Sequence, residues 1–169
     1  MSTAIEFNHP SIPDTELNES ISTILSATSL MTMATVNVDG SAHANTAYFA
    51  FDEKLSLYLI TDPTSRHCQN LKANPSTAAT IFDSRQEFWT PLRGLQLFGH
   101  CVETSILELP HALRCFSSRF PVFTELVKHP ADFATKAVSV RLHTIRISAL
   151  KLFDEPRFGE EVFITLTLP

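Results

Sequence analysis

The chain has 169 residues, 44% of them hydrophobic and 18% charged, enough apolar material for one core of ordinary size. A net charge of -5 with no Lys/Arg-rich run argues against nucleic acid as a partner. The first residues hold no basic segment followed by a long apolar one, and no stretch is apolar over a bilayer-spanning length, so a soluble, cytoplasmic protein without a membrane partner is expected.

After Pro13, with Asp14 as the expected cap, Leu17, Ile21, Ile24 and Leu25 recur at helical spacing and predict a short helix lying on a sheet. From Ser29 the character turns to β-branched, Met and aromatic residues. Strands are predicted over 30–38 and 41–51 with Asp39-Gly40 between them, the strongest short-range hairpin signal. A turn at 52–54 leads to a third strand, 55–61, completing a meander. Residues 64–73 read as a helix stopped by Asn74-Pro75, followed by strands over 76–82 and 92–103. Two short, peripheral helices are expected at 110–118 and 122–129. In the tail, Val138, Val140, Leu142 and Thr144 alternate with Ser139, Arg141 and His143, and 162–168 supplies a last strand.

Because repeated β-α-β alternation is missing, the pattern predicts a mainly β fold with peripheral helices, a six-or-more-stranded antiparallel barrel. One domain over 1–169 is expected, with a helical segment at 1–28, a barrel core at 29–103, a helical insertion at 104–135 and C-terminal strands at 136–169.

The chemistry concentrates where the third strand meets the following helix, in Thr-Asp-Pro-Thr-Ser-Arg-His over 61–67. The first N–H groups of a helix are unpaired and partly positive, which suits a phosphate. Ser65 and Thr61 add hydroxyls, and Arg66 adds a guanidinium that can hold two phosphate oxygens. His67 adds a donor whose protonation a phosphate dianion favours. The bland alternative makes Thr64 or Ser65 an N-cap and Arg66 a solvated side chain.

The order hairpin, strand, Thr-Asp-x-x-Ser-Arg-His, helix, Asn-Pro, strand resembles the pyridoxamine 5′-phosphate oxidase-like FMN-binding split barrels over roughly residues 29–103. A narrower resemblance is to a small, uncharacterised branch of that superfamily. It rests on Asn45-Thr-Ala-Tyr-Phe-Ala-Phe-Asp52, Leu92-Arg-Gly-Leu-Gln-Leu-Phe-Gly99, Arg119-Phe-Pro121, and Lys151-Leu-Phe-Asp followed by Phe158-Gly159. The resemblance implies bound FMN: the main chain of Asn45, Thr46, Ala47 and Tyr48 beside the isoalloxazine, Ile60 and Thr61 along the ribityl chain, and Ser65, Arg66 and His67 at the phosphate. Gln96 would reach the flavin of a partner subunit, with a flat ring lying over Gly94. A homodimer, a small-molecule substrate or electron donor and an FMN-dependent oxidoreductase are therefore expected. The alternative is a binding protein that holds flavin or haem without turnover.

True oxidases of this family carry a basic residue at each end of the strand where this chain has Ala44 and Phe49, and a C-terminal Arg-Leu-His-Asp-Arg element where Arg141-Leu142-His143 runs on into Thr-Ile. These departures argue against pyridoxamine 5′-phosphate oxidase activity itself. Other constellations are weaker. His111 and Cys115 share a helical face without a second metal-binding pair, and His100 and Cys101 point to opposite faces of a strand. Cys68 has no resolving cysteine. Trp89 and Arg93 flank a loop that reads equally as a surface plug or as a flavin lid or dimer contact.

Overall fold

The computed structural model describes residues 5–126, 131–135 and 138–168. Strands β1 (Leu30–Val36) and β2 (Ala42–Tyr48) form the expected hairpin, in register from Leu30 opposite Tyr48 to Val36 opposite Ala42. In the loop, Asn37 N–H donates to the Ser41 carbonyl at 2.8 Å, and Gly40 takes a φ of +83° that disfavours any side chain.

Beyond β2 the chain passes Phe49 and continues as β3 (Ala50–Phe51), which pairs with β4 (Ser56–Thr61) instead of β1. The expected meander is thus present in chain order, but its middle strand is divided between two neighbours. With β5 (Ser76–Ile81), β6 (Arg93–Glu103) and β7 (Arg141–Asp154), the sheet order is β2-β1-β5-β6-β7-β4-β3. Since β2 and β3 are joined by one residue, this order closes on itself into a barrel. β8 (Ile164–Thr167) adds to the C-terminal half of β7. Among the described residues β2 has no ladder partner except β1, so its other edge faces the end of β4 without hydrogen-bonded pairing.

Alternation sends Met31, Met33, Leu57, Leu59, Leu95, Leu97 and Ile145 into one core, and α1 (Asp14–Ala27) covers it with the predicted Leu17, Ile21, Ile24 and Leu25. Asp14 does not cap α1. Pro13 occupies the cap position, and the Asp14 carboxylate instead accepts the N–H groups of Phe7 and Asn8 at 3.1 and 3.2 Å, pinning the preceding segment.

Two further expectations are corrected. The helix α3 (Leu109–Arg119) is not peripheral: its Leu109, Ala112, Leu113 and Phe116 build a second core with Ala50, Tyr58 and Leu142 on the outer side of β3, β4 and β7. For the same reason the alternation of the tail does not separate a wet face from a dry one. Leu142 and Thr144 are buried towards α3, and His143 and Ile145 are buried towards the barrel. The second predicted helix is a single turn, α4 (Phe123–Leu126), and its expected continuation to His129 lies outside the described residues.

Arg119, in the last turn of α3, joins the layers. Its guanidinium donates to the carbonyls of Leu25 and Thr28 at the C-terminal end of α1, where the last turn holds no basic residue of its own, and it stacks 4.5 Å from the Phe49 ring and 4.9 Å from the Phe51 ring. One cation thus ties α1 and α3 to the point where β2 becomes β3. Arg119→Ala is expected to lower unfolding free energy by about 2–4 kcal/mol in a denaturant titration, through two charge-assisted bonds and the lost stacking. Arg119→Lys should recover only a minor part, since a point charge cannot serve both carbonyls and both rings.

Candidate functional site

The turn between β4 and α2 (Arg66–Ala73) is built by Asp62, whose carboxylate accepts the N–H and the hydroxyl of Thr64, both at 2.7 Å. These bonds hold the Asp62 carboxyl below its usual range and keep Thr64 occupied. Ser65 occupies the N-cap position in extended geometry, yet its hydroxyl makes no capping bond. It stands 3.0 Å from His67 Nε2, and Thr61 Oγ1 stands 2.6 Å from the same nitrogen. Neither Thr64 nor Ser65 therefore acts as the side-chain cap of the bland reading, and the first turn of α2 keeps its donors free of side-chain competition.

Arg66 is exposed and lines an open concavity of about 480 Å³ with Asn37, Val38 and Asp39 of the hairpin loop and His43 of β2. His43 was not singled out in the sequence, although period-two alternation places it on the same face as Asn45 and Ala47. His67 lies close enough to feel it: burial first, and then the charge of His43, pull the His67 imidazole below its ordinary value. His43, Arg66 and His67 thus bring one guanidinium and two imidazoles to an uncapped helix start. Asp39 faces Arg66 across the concavity.

The strand residues divide. Asn45 and Ala47 point inward with His43, whereas Thr46 and Tyr48 point outward, and Tyr48 is 59% exposed against the edge of the Phe120 ring. Asn45 Oδ1 is buried and has no hydrogen-bond partner among the described residues, an acceptor still lacking its donor there. Ile60 and Thr61 also diverge: Ile60 packs against the α3 core, and Thr61 faces inward beside His67. The feature shared by Asn45 to Tyr48 is main chain, along the unpaired edge of β2.

Gln96 is not part of this cluster within one chain. It stands on the outer face of β6, half-buried, opposite Thr80 and Lys151, three strands from β2 and so about 14 Å away. The flat ring expected over Gly94 is the protein's own: a Cβ at Gly94 would lie 2.3 Å from Phe153 Cζ, so Phe153 fills that space. The loop before β6 is no plug either, for Phe88 and Trp89 are 86% and 90% exposed with rings 4.8 Å apart, and Arg93 turns away to bind Asp154 at 2.8 Å.

His111 and Cys115 do share a face of α3. His111 Nε2 is 3.1 Å from Asp52 Oδ2 and 3.6 Å from Cys115 Sγ, and Asp52 also accepts the Tyr58 hydroxyl at 2.8 Å, so the group anchors α3 to the β3–β4 turn. His100 is exposed and Cys101 fully buried on opposite faces of β6, the thiol pushed up to about 12 by burial. Cys68 is buried beneath the first turn of α2.

The family model described as pyridoxamine 5′-phosphate oxidase matches residues 17–148. UPF0306 protein YhbP of Salmonella paratyphi A is 31% identical over 88 residues, which are 52% of this chain and 59% of that relative. Among solved structures, a heme binding protein from Mycobacterium smegmatis superposes with a TM-score of 0.70 at 16% identity, covering 88% of this chain and 57% of that one. A protein from Clostridium acetobutylicum related to general stress protein 26, of the pyridoxinephosphate oxidase family, superposes with a TM-score of 0.64 at 13% identity, covering 92% and 96%. The fold is therefore the antiparallel split barrel. With its model matched from α1 through the barrel and the turn before α2 to the middle of β7, the chain belongs to the pyridoxamine 5′-phosphate oxidase family.

Proposed function

We propose that the protein is an FMN-binding flavoprotein, a homodimer that passes hydride or electrons between the flavin and a small molecule. The observation that carries this reading is the convergence of Arg66, His67 and His43 on a helix start without a side-chain cap, beside the open edge of β2. The residues fit the cofactor. A phosphate would meet the first N–H groups of α2, the Arg66 fork and two imidazoles. The unpaired β2 main chain and the orphaned Asn45 Oδ1 would meet the polar edge of a ring or a ribityl hydroxyl. Bound FMN would supply hydride chemistry, while the chain binds and orients it.

Four residues favour an activity other than that of the true oxidases. Ala44 is an exposed small residue, and Phe49 is fully buried in the core, so neither strand position offers a cation. Arg141 donates to the carbonyls of Val138 and Val140 at 2.6 and 2.8 Å, and His143 is buried, so this segment does not present a substrate-phosphate grip.

The dimer reading is supported by the outer face of the sheet. Leu30, Val36, Tyr48, Phe82 and Phe98 are 38–59% exposed there around the small residues Ala34, Ala44 and Ala78, a flat apolar surface of the kind that a second copy covers. Such packing would carry Gln96 to the partner's flavin.

A second reading, a binding protein that holds flavin or haem without turnover, is favoured by the likeness to the mycobacterial heme binding protein and by the paired imidazoles of His43 and His67. The absorption spectrum of the purified protein separates the two cofactors: flavin bands are expected, a Soret band would favour haem, and a colourless protein that takes up no added FMN would sink the flavin reading. Anaerobic mixing of the loaded protein with NADH or NADPH should bleach the flavin; no bleaching with either favours the binding protein.

Arg66→Ala should weaken FMN binding by about 1.5–3 kcal/mol in a fluorescence titration, the loss of one charge-assisted phosphate contact. Unchanged affinity would move the phosphate elsewhere. Sedimentation should give a dimer for the parent protein and a monomer for Phe98→Asp, which buries a charge in the proposed interface.

A further inference from the structure

The loop that joins β5 to β6 is fixed at its neck and carries its rings outwards. Gln86 spans the neck: its Oε1 accepts the Arg93 N–H at 2.6 Å, and its Nε2 donates to the carbonyls of Asp83 and Arg93, both at 3.0 Å. Glu155 Oε2 accepts the Leu92 N–H at 2.8 Å, and Thr90 donates its N–H and its hydroxyl to the Glu87 carbonyl. At the tip of this frame the stacked rings of Phe88 and Trp89 stand almost wholly in solvent. Trp89 takes a φ of +66°, in the left-handed region that a bulky side chain rarely enters. Within one chain this strained backbone buries neither ring, so nothing there offsets its cost.

Both ends of the loop open onto the outer face of the sheet. Phe82, directly after β5, and Leu92, directly before β6, continue the outward rows of their strands, and each is 47% exposed. From β2 through β1 and β5 to Phe98 on β6, no outward position holds Asp, Glu, Lys or Arg. Charges gather instead beside the loop tip, as Asp83, Arg85 and Glu87. A centre without charge, rich in large rings and edged by charged side chains, has the composition of a buried protein interface.

We propose that Phe88 and Trp89 form an arm with which each copy of this chain clasps a second copy, extending the contact between outer sheet faces. The clasp rests on the dimer reading above. A second copy is the occupant because the arm shares both its ends with that uncharged face, and because the areas add up. Two such rings remove roughly 300–500 Å² from water on each copy, about half of the ~800 Å² that each partner of a stable interface buries. The sheet face supplies the remainder. About a two-fold axis the same surface serves both copies, so the arm is used twice.

Trp89 is the one tryptophan of the chain, so its emission reports on the arm alone. The parent protein is diluted through its dimer-to-monomer transition, with mass followed by sedimentation and Trp89 by fluorescence. Dimer formation should shift the emission to the blue and protect it from acrylamide, in step with mass. The Phe98→Asp monomer should keep water-exposed emission at every concentration. Phe88→Ser combined with Trp89→Ser, at positions outside both cores, should weaken dimerisation roughly tenfold to thirtyfold. A dimer whose Trp89 stays water-exposed, or whose dissociation constant the double substitution leaves unchanged, overturns the clasp and leaves the dimer reading standing. Shielding of Trp89 that persists in the monomer assigns the ring to its own chain and overturns the clasp too. A parent protein that is a monomer at every concentration overturns both readings.

Discussion

The division of one strand at Phe49 is the constraint from which the rest of the molecule follows. Before Phe49 the backbone pairs with β1, and after it with β4, so a sheet that would otherwise end in two free edges is drawn into a barrel by a covalent link. The fully buried Phe49 ring holds that corner against the main core, with the Arg119 guanidinium on its face. The same division has a cost in hydrogen bonds. Among the described residues the edge of β2 that turns towards the end of β4 is left without a ladder, and unpaired main chain at the mouth of a barrel is where a polar ligand can be held.

Electrostatics at that mouth are local. The chain as a whole carries a net charge of -5, yet His43, Arg66 and His67 gather beside an uncapped helix start, brought there by β2 and α2. Only Arg66 is charged irrespective of surroundings. The His67 imidazole is pulled below its ordinary value by burial and by His43 beside it, so its contribution to the positive potential depends on what occupies the site. A site of this kind differs from one in which fixed cations stand at both ends of a strand, where Ala44 and Phe49 serve exposure and core packing instead.

Much of the architecture was legible in order of sequence because it is dictated locally. Leu17, Ile21, Ile24 and Leu25 announce the buried face of α1, Asp39-Gly40 the β1–β2 hairpin, and Asn74-Pro75 the end of α2, each through periodicity or backbone preference over a few residues. The misreadings share another cause. Gly94 reads as open space and α3 as a peripheral helix, and each is changed by a partner distant in sequence, Phe153 and Tyr58, while Asp14 is drawn from the cap position by the nearby main chain of Phe7 and Asn8.

The sequence by itself determined the α1 face, the β1–β2 hairpin, the strands up to β6, the family and the strand-to-helix turn from Thr61 to His67, since strand alternation and turn residues act over short distances along the chain. Only the tertiary structure decided that His43 joins Arg66 and that His143 stands behind His67 within the barrel. Periodicity specifies which face a side chain is on, but not what lies across from it. That depends on closure of the sheet at Phe49, which brings strands remote in sequence within hydrogen-bonding reach.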